Sequence, residues 1–319
     1  MAEAELVIFD DAIARDWYPF TLTRPAGELL LGTLTLRSRA ERVLGLRCVG
    51  YICAEHLNGF DEIGAPRVLG EGAPGRSSDR AIVYLSSRAV LHWDIDALDF
   101  SQETVLRAGD ELAGWIIPVG AQHPTEDDFL APSLDRPNAR PLDIGAKLLD
   151  NVWDLIAHNH DHVASDVLHF FPNAPGGAVS GPIAGGFVEG AHFIGEYPLI
   201  VGDDVNIEPG VVFDLSAGPI WLEKGVTVRA LTRIAGPMYV GQDSQLLGGL
   251  YTASSIGPLC KIHGEVEESI IIGYSNKAHE GFLGHAIVGK WCNFGALTTN
   301  SDLKNNYSNV RVHTPGGEV

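Results

Sequence analysis

Basic residues are scarce in this chain: 22 Lys and Arg stand against 41 Asp and Glu, a formal net charge of −19. A field of that sign repels phosphate backbones and anionic headgroups, which argues against nucleic acid or a membrane surface as a main partner. Cysteine is scarce too. Cys48, Cys53, Cys260 and Cys292 form no CxxC pair and no metal-ligand spacing, so reduced thiols are expected rather than a disulfide framework. No stretch approaches the ~20 apolar residues a membrane-spanning helix needs. The opening MAEAELVIFDD carries acids where a secretory signal would carry Lys or Arg. These absences predict a cytoplasmic protein with no membrane partner. Glycine, by contrast, is plentiful at 37 of 319 residues, which implies many turns at positive φ. The length suits about two domains at ~100–200 residues each.

The first half alternates in character. Glu5–Phe9, Arg47–Cys53, Ala81–Leu85, Thr104–Ala108 and Gly114–Val119 read as short apolar strands. Thr33–Leu46 has the spacing of an amphipathic helix, and so does Pro141–Phe171 through Ile144, Leu148, Leu149, Val152, Leu155 and Ile156. Strands alternating with helices predict an α/β domain on a mostly parallel sheet over residues 1–172. A Gly/Pro/Ala-rich stretch, 173–187, reads as a linker.

From 188 to 319 the texture changes. Val201, Ile207 and Phe213 are six apart. After a three-residue slip, Leu222, Val228, Ile234, Val240 and Leu246 repeat the interval; Ile256 and Ile262, then Val288 and Phe294, resume it in new phases. Six residues suit a prism-like coil whose short strands each point one residue inward and then turn a corner. Gly, Asn and Asp lie between the beats, as corners demand. This is the hexapeptide pattern of a parallel β-helix, whose stacked coils bury a column no single coil could.

The segment SNKAHEGFLGHAIVGKWCNFGALTTN resembles the acetyl-transfer site of the bifunctional N-acetylglucosamine-1-phosphate uridylyltransferase/glucosamine-1-phosphate acetyltransferases. Ser275, His279, Gly284, Gly289, Asn293, Gly295, Ala296 and Thr298 match that family's run GSKxxHLxYxGDxxIGxxxNxGAGTxxxN in register. The stretch Arg15–Gly45 resembles the start of sugar-nucleotide pyrophosphorylases, and is most similar to divergent sugar nucleotidyltransferases that pair such a domain with a β-helix. The resemblance implies a nucleotidyltransferase-like, Rossmann-like α/β domain followed by a left-handed parallel β-helix. It implies transferase chemistry on a sugar phosphate or nucleotide sugar, acyl-CoA (acetyl-CoA) as co-substrate, and a homotrimer. Because such a helix would continue beyond the motif, a truncated β-helix is expected at Val319.

The departures matter as well. Where the family has a Gly-rich phosphate loop after the first strand, this chain has Phe9-Asp10-Asp11-Ala12. Ala26-Gly27-Glu28 replaces an expected Lys, and Ser86-Ser87-Arg88 replaces the Gly-Asp that would hold Mg²⁺. Asp10 or Asp11 could hold Mg²⁺ instead, though the motifs of the first domain do not support the ion, and a pseudoenzyme or trimeric scaffold is the alternative function. In the β-helix, Phe282 replaces a Tyr and Glu267 falls where a Lys is usual.

His279 is the candidate catalytic base, since imidazole titrates near neutral pH; the other reading is a corner histidine. Lys261 either pairs with a substrate phosphate or is a solvated rim lysine. Asn293 either orients substrate or fills a left-handed corner. Arg15 and Arg24 flank DWYPFTLT and face a nucleotide phosphate on one reading; on the other, Arg24 belongs to a buried Thr-Arg-Pro turn. His158, His160 and His162 invite a metal, but only the first and last share a helix face, so no metal site is expected.

Overall fold

The computed structural model describes residues 4–69, 79–177, 179–181, 190–301, 303–308, 311, 313–314 and 317–318. Met1–Leu29 and Leu34–Asp154 fall in one compact unit, Leu30–Thr33 and Leu155–Arg311 in another.

In the first unit the chain runs β1 (Ala4–Phe9), α1 (Leu36–Leu44), β2 (Cys48–Ile52), β3 (Ala81–Ser86), β4 (Thr104–Ala108), β5 (Glu111–Ile117) and β6 (Arg140–Asp143). The strands form one sheet in the order β2-β1-β3-β5-β4-β6. β1 pairs in parallel with β2 and β3, whereas β5 runs antiparallel to both its neighbours, so the sheet is mixed. Leu6, Val7, Ile8 and Phe9 are all buried, as a strand covered on both faces requires. α1 starts at Thr35, whose hydroxyl accepts from Ser38 N, and stops at Gly45 with φ 64.

The helix expected over Pro141–Phe171 begins only at Asp154, forming α2 (Asp154–Phe170). Pro141 lies in an edge strand paired with Val105, Gly145 turns at φ 64, and Ala146–Leu148 pairs antiparallel with Ala89–Leu91. Sheet pairing thus takes Ile144 and Leu148 into the core ahead of any helix. Asp154 closes the entry, its Oδ2 accepting from Asp150 N and Asn151 N at 2.9 Å.

In the second unit, parallel strands stack in three columns. The first column holds Leu199–Val201, Ile220–Leu222, Met238–Val240, Ser255–Ile256, Ile270–Ile271 and Ile287–Val288. The second carries Asn206–Ile207, Thr227–Val228, Gln245–Leu246, Lys261–Ile262, Asn276–Lys277 and the bridge to Asn293. The third runs from His192–Gly195 through Val212–Leu215, Thr232–Ala235, Gly249–Thr252 and Glu265–Glu267 to Phe282–Gly284. This is a parallel β-helix. Ile220 pairs with Met238, a step of 18 residues or three hexapeptides; Leu199 pairs with Ile220, a step of 21 that takes up the slip at the corners.

The apolar inward beats join one cluster. Val201, Leu222, Val228, Ile234, Val240 and Val288 are buried in it, with Ile207 and Phe294 packed against it. Val179–Ser180, from the stretch expected to be a linker, pairs in parallel with Leu199–Ile200, while 178 and 182–187 lie outside the described residues. Helix α2 covers the outer side of the first column: Val163 and Val167 cluster with Ile200 and Tyr239, and Phe171 packs edge-on to Trp221.

The tetrapeptide Leu30–Thr33 is tied to this unit. Gly32 N donates to Asn159 Oδ1 (2.9 Å), Thr33 N and Oγ1 to Asp166 Oδ2 (3.0 and 3.1 Å), and Ser255 Oγ to Gly32 O (2.7 Å). Gly32 has φ +66, and a Cβ there would lie 2.5 Å from Asp166 Oδ2, so only glycine fits.

Candidate functional site

In the first unit, β1 lies between two parallel neighbours, so chain connections leave it in opposite directions and open a crevice at its carboxyl end. Asp10 and Asp11 follow β1, and Ser87-Arg88 follow β3. Asp11 caps the short helix Ala12–Arg15, Oδ1 accepting from Ala14 N at 2.8 Å. Its Oδ2 accepts from Arg88 Nε at 2.8 Å, and Arg88 also reaches Leu149 O and Asp150 Oδ1. Asp11 and Arg88 line a cleft of about 530 Å³ with Asp110, Glu111, Leu112 and Leu130.

Asp10 is buried, and Oδ2 accepts from Ala26 N at 3.1 Å. That bond folds the Ala26–Glu28 turn back on β1, where Glu28 accepts from Arg37 Nε and the Tyr51 hydroxyl. Burial pushes the Asp10 carboxyl up to about 6, against the favourable pull of the Ser87 hydroxyl and the Ala26 N–H. Asp10 Oδ1 and Ser87 Oγ nevertheless close no well-aligned hydrogen bond. Arg15 is half-buried and donates to Asp10 O at 3.1 Å; Arg24 is buried and ion-paired to Glu62 at 3.1 Å.

The Mg²⁺ that nucleotidyl transfer implies does not fit these side chains. Asp11 spends both oxygens on an N–H and a guanidinium, and Asp10 is held toward its neutral form. Among the described residues no group of three His, Cys, Asp or Glu is placed to hold a metal, the histidines of α2 included.

In the β-helix, Lys261 and Asn293 share one outward ladder, Gln245–Lys261–Asn276–Asn293, with Asn276 Nδ2 donating to Asn293 Oδ1 at 3.0 Å. Asn293 is in strand register, so the left-handed corner expected of it falls instead on Trp291, two residues earlier, at φ 64. His279 is exposed on the Ala278–Gly281 corner that follows this ladder, and its imidazole has no polar partner among the described residues. His285 occupies a different corner at φ 47, with Nε2 3.2 Å from Glu268 Oε2.

The His279 corner is braced from inside by a lysine the motif reading passed over. Lys277 is buried, and Nζ donates to His263 O (2.8 Å), Gly281 O (2.7 Å) and His279 O (3.3 Å). Burial lowers its pKa, and Glu280 partly offsets that. The signal was in the repeat: a six-residue step from Ile271 lands on Lys277, an inward slot that holds Ile262 one coil earlier.

No curated protein matches the chain. A family model described as sugar nucleotidyl transferase matches residues 6–170, a span that runs from within β1 to the end of α2 and contains the whole strand-end crevice. Matched over more than half its length, the chain belongs to the sugar nucleotidyl transferase family.

Proposed function

We propose a two-module sugar-nucleotide-type transferase, similar in plan to the bifunctional uridylyltransferase/acetyltransferases. Its first unit receives a sugar phosphate or nucleotide sugar in the crevice beyond β1, where Arg15 donates to the Asp10 carbonyl. Its β-helix transfers an acyl group from a thioester such as acetyl-CoA to a sugar amine. The amine nitrogen attacks the thioester carbonyl, the C–N bond forms, the C–S bond breaks, and the amine proton passes to His279 while the thiolate leaves. Lys261 supplies a point charge for a ligand phosphate, and Asn293 a hydrogen-bonding amide.

The observation that carries this reading is the open imidazole of His279 on a corner whose backbone the buried Lys277 ammonium clamps. A base held in place without a competing partner is what proton removal in a forming C–N bond requires. Thiol release from acetyl-CoA with a panel of amino sugars tests it. His279→Ala is expected to lower turnover by on the order of 10²–10⁴ with little change in donor affinity. Equal rates in both proteins, or none in either, would leave the corner a structural one.

A second reading is favoured by the Asp11–Arg88 and Arg24–Glu62 pairs, which neutralise the first unit's charges internally. On it, the first unit binds sugar nucleotides without transferring a nucleotidyl group. Pyrophosphate release from nucleoside triphosphates and sugar phosphates separates the two.

A further inference from the structure

One corner of the β-helix changes character partway along. Between the first and second strand columns, each coil places one residue in the left-handed region: Asp204, Gly225, Asp243, Leu259, Tyr274 and Trp291, at φ 57, 71, 58, 57, 53 and 64. The first three are residues that tolerate this conformation, and the last three are bulky side chains for which it is costly. A backbone ladder holds the positions, with Leu259 N donating to Gln242 O and Tyr274 N to Pro258 O.

Three of these corners, Gly202–Val205, Glu223–Val226 and Gly241–Ser244, contain acids. The next three, Gly257–Cys260, Ile272–Ser275 and Gly289–Cys292, contain no Asp or Glu, and neither does the adjoining ladder Lys261–Asn276–Asn293. In a chain of net charge −19 this is an acid-free edge carrying two lysines. Trp291 is 73% exposed and stacks on Tyr274 with ring centroids 4.6 Å apart and planes at 30°. Lys290 Nζ lies 5.7 Å from the Tyr274 centroid.

An exposed ring stack beside cations, on corners whose own residues include no carboxylate, presents a π-face and a positive field together. That pairing suits a planar base bearing phosphate, because stacking accepts the ring and the ammonium groups the anion. We propose that this edge is a nucleoside-phosphate site: the base stacks on Trp291, and the phosphate lies toward Lys290 and Lys261. The inference rests on this corner and the adjoining Lys261, and not on His279.

Photolabelling with 8-azidoadenosine 5′-diphosphate, mapped by peptide mass spectrometry, tests it on the full chain. Label is expected at Tyr274, Lys290 or Trp291, competed by ADP and several-fold more weakly by adenosine. Trp291→Gly should lower that label about tenfold or more, while label within residues 4–154 is unchanged. Glycine adopts φ 64 without strain, so the variant should melt at the same temperature or higher, separating lost binding from lost folding. Label confined to residues 4–154, or unchanged by Trp291→Gly, would overturn the proposal. So would a fall in oligomer mass in that variant, which would make the ridge a contact between copies.

Discussion

Because burial holds the Asp10 carboxyl near 6, above its ordinary 3.8, the folded chain binds this proton more tightly than the unfolded chain does. The protonated form stabilises the fold below about pH 4, and that contribution is lost as pH rises through about 6. The shift corresponds to about 3 kcal/mol at most. Asp10→Asn keeps an oxygen for Ala26 N and gives Ser87 an N–H to accept. We therefore expect the Asp10→Asn chain to be more stable than wild type at pH 8 and nearly equal to it near pH 4, read from urea midpoints at the two values. A wild-type advantage at pH 8 would show that Asp10 is ionised at little cost. Little of this was legible beforehand: two adjacent acids after a strand announce altered phosphate chemistry, but not that one caps a helix while the other is buried against Ala26.

At the scale of elements, periodicity was the readable signal. The column from Val201 to Phe294 was legible because one inward residue per face is a local rule, repeated until chance is a poor explanation. Pro141–Trp153 misled because its apolar spacing fits a helix, whereas pairing with Thr104–Arg107 and Ala89–Leu91 comes from residues far away in the chain. Lys277 was hidden for a related reason: a lysine on an inward beat is explained only by three carbonyls arriving from its own coil and the one before. Lys277→Met fits the column but leaves those carbonyls without their charged donor. The expected cost is about 2–3 kcal/mol in unfolding free energy. If the clamp positions His279, turnover should fall further than stability alone explains, with Lys277→Arg restoring part of both. Unchanged thermal unfolding in Lys277→Met would show the clamp to be dispensable.

For the whole molecule, no helix among the described residues is long and apolar enough to cross a membrane. Helix α2 covers the first strand column, while the second and third present outward ladders such as Lys261–Asn276–Asn293 and Arg233–Leu250–Glu265–Phe282. Such flanks suit packing against further copies, and a cyclic trimer of the 34.2 kDa chain is the expected state. Light scattering giving a clean monomer mass at high concentration would count against it. The Leu30–Thr33 strap has a consequence in time. Its N–H groups donate to Asn159 and Asp166, and its Gly32 carbonyl accepts from the Ser255 hydroxyl, all made much later. At ~5–20 residues per second, the ribosome exposes the strap for roughly 10 seconds before its helical partners emerge, and longer before Ser255 does. Leu30 and Leu31, buried in the finished protein, are bare for that interval, so a growing chain offers chaperones an apolar handle that the mature one conceals.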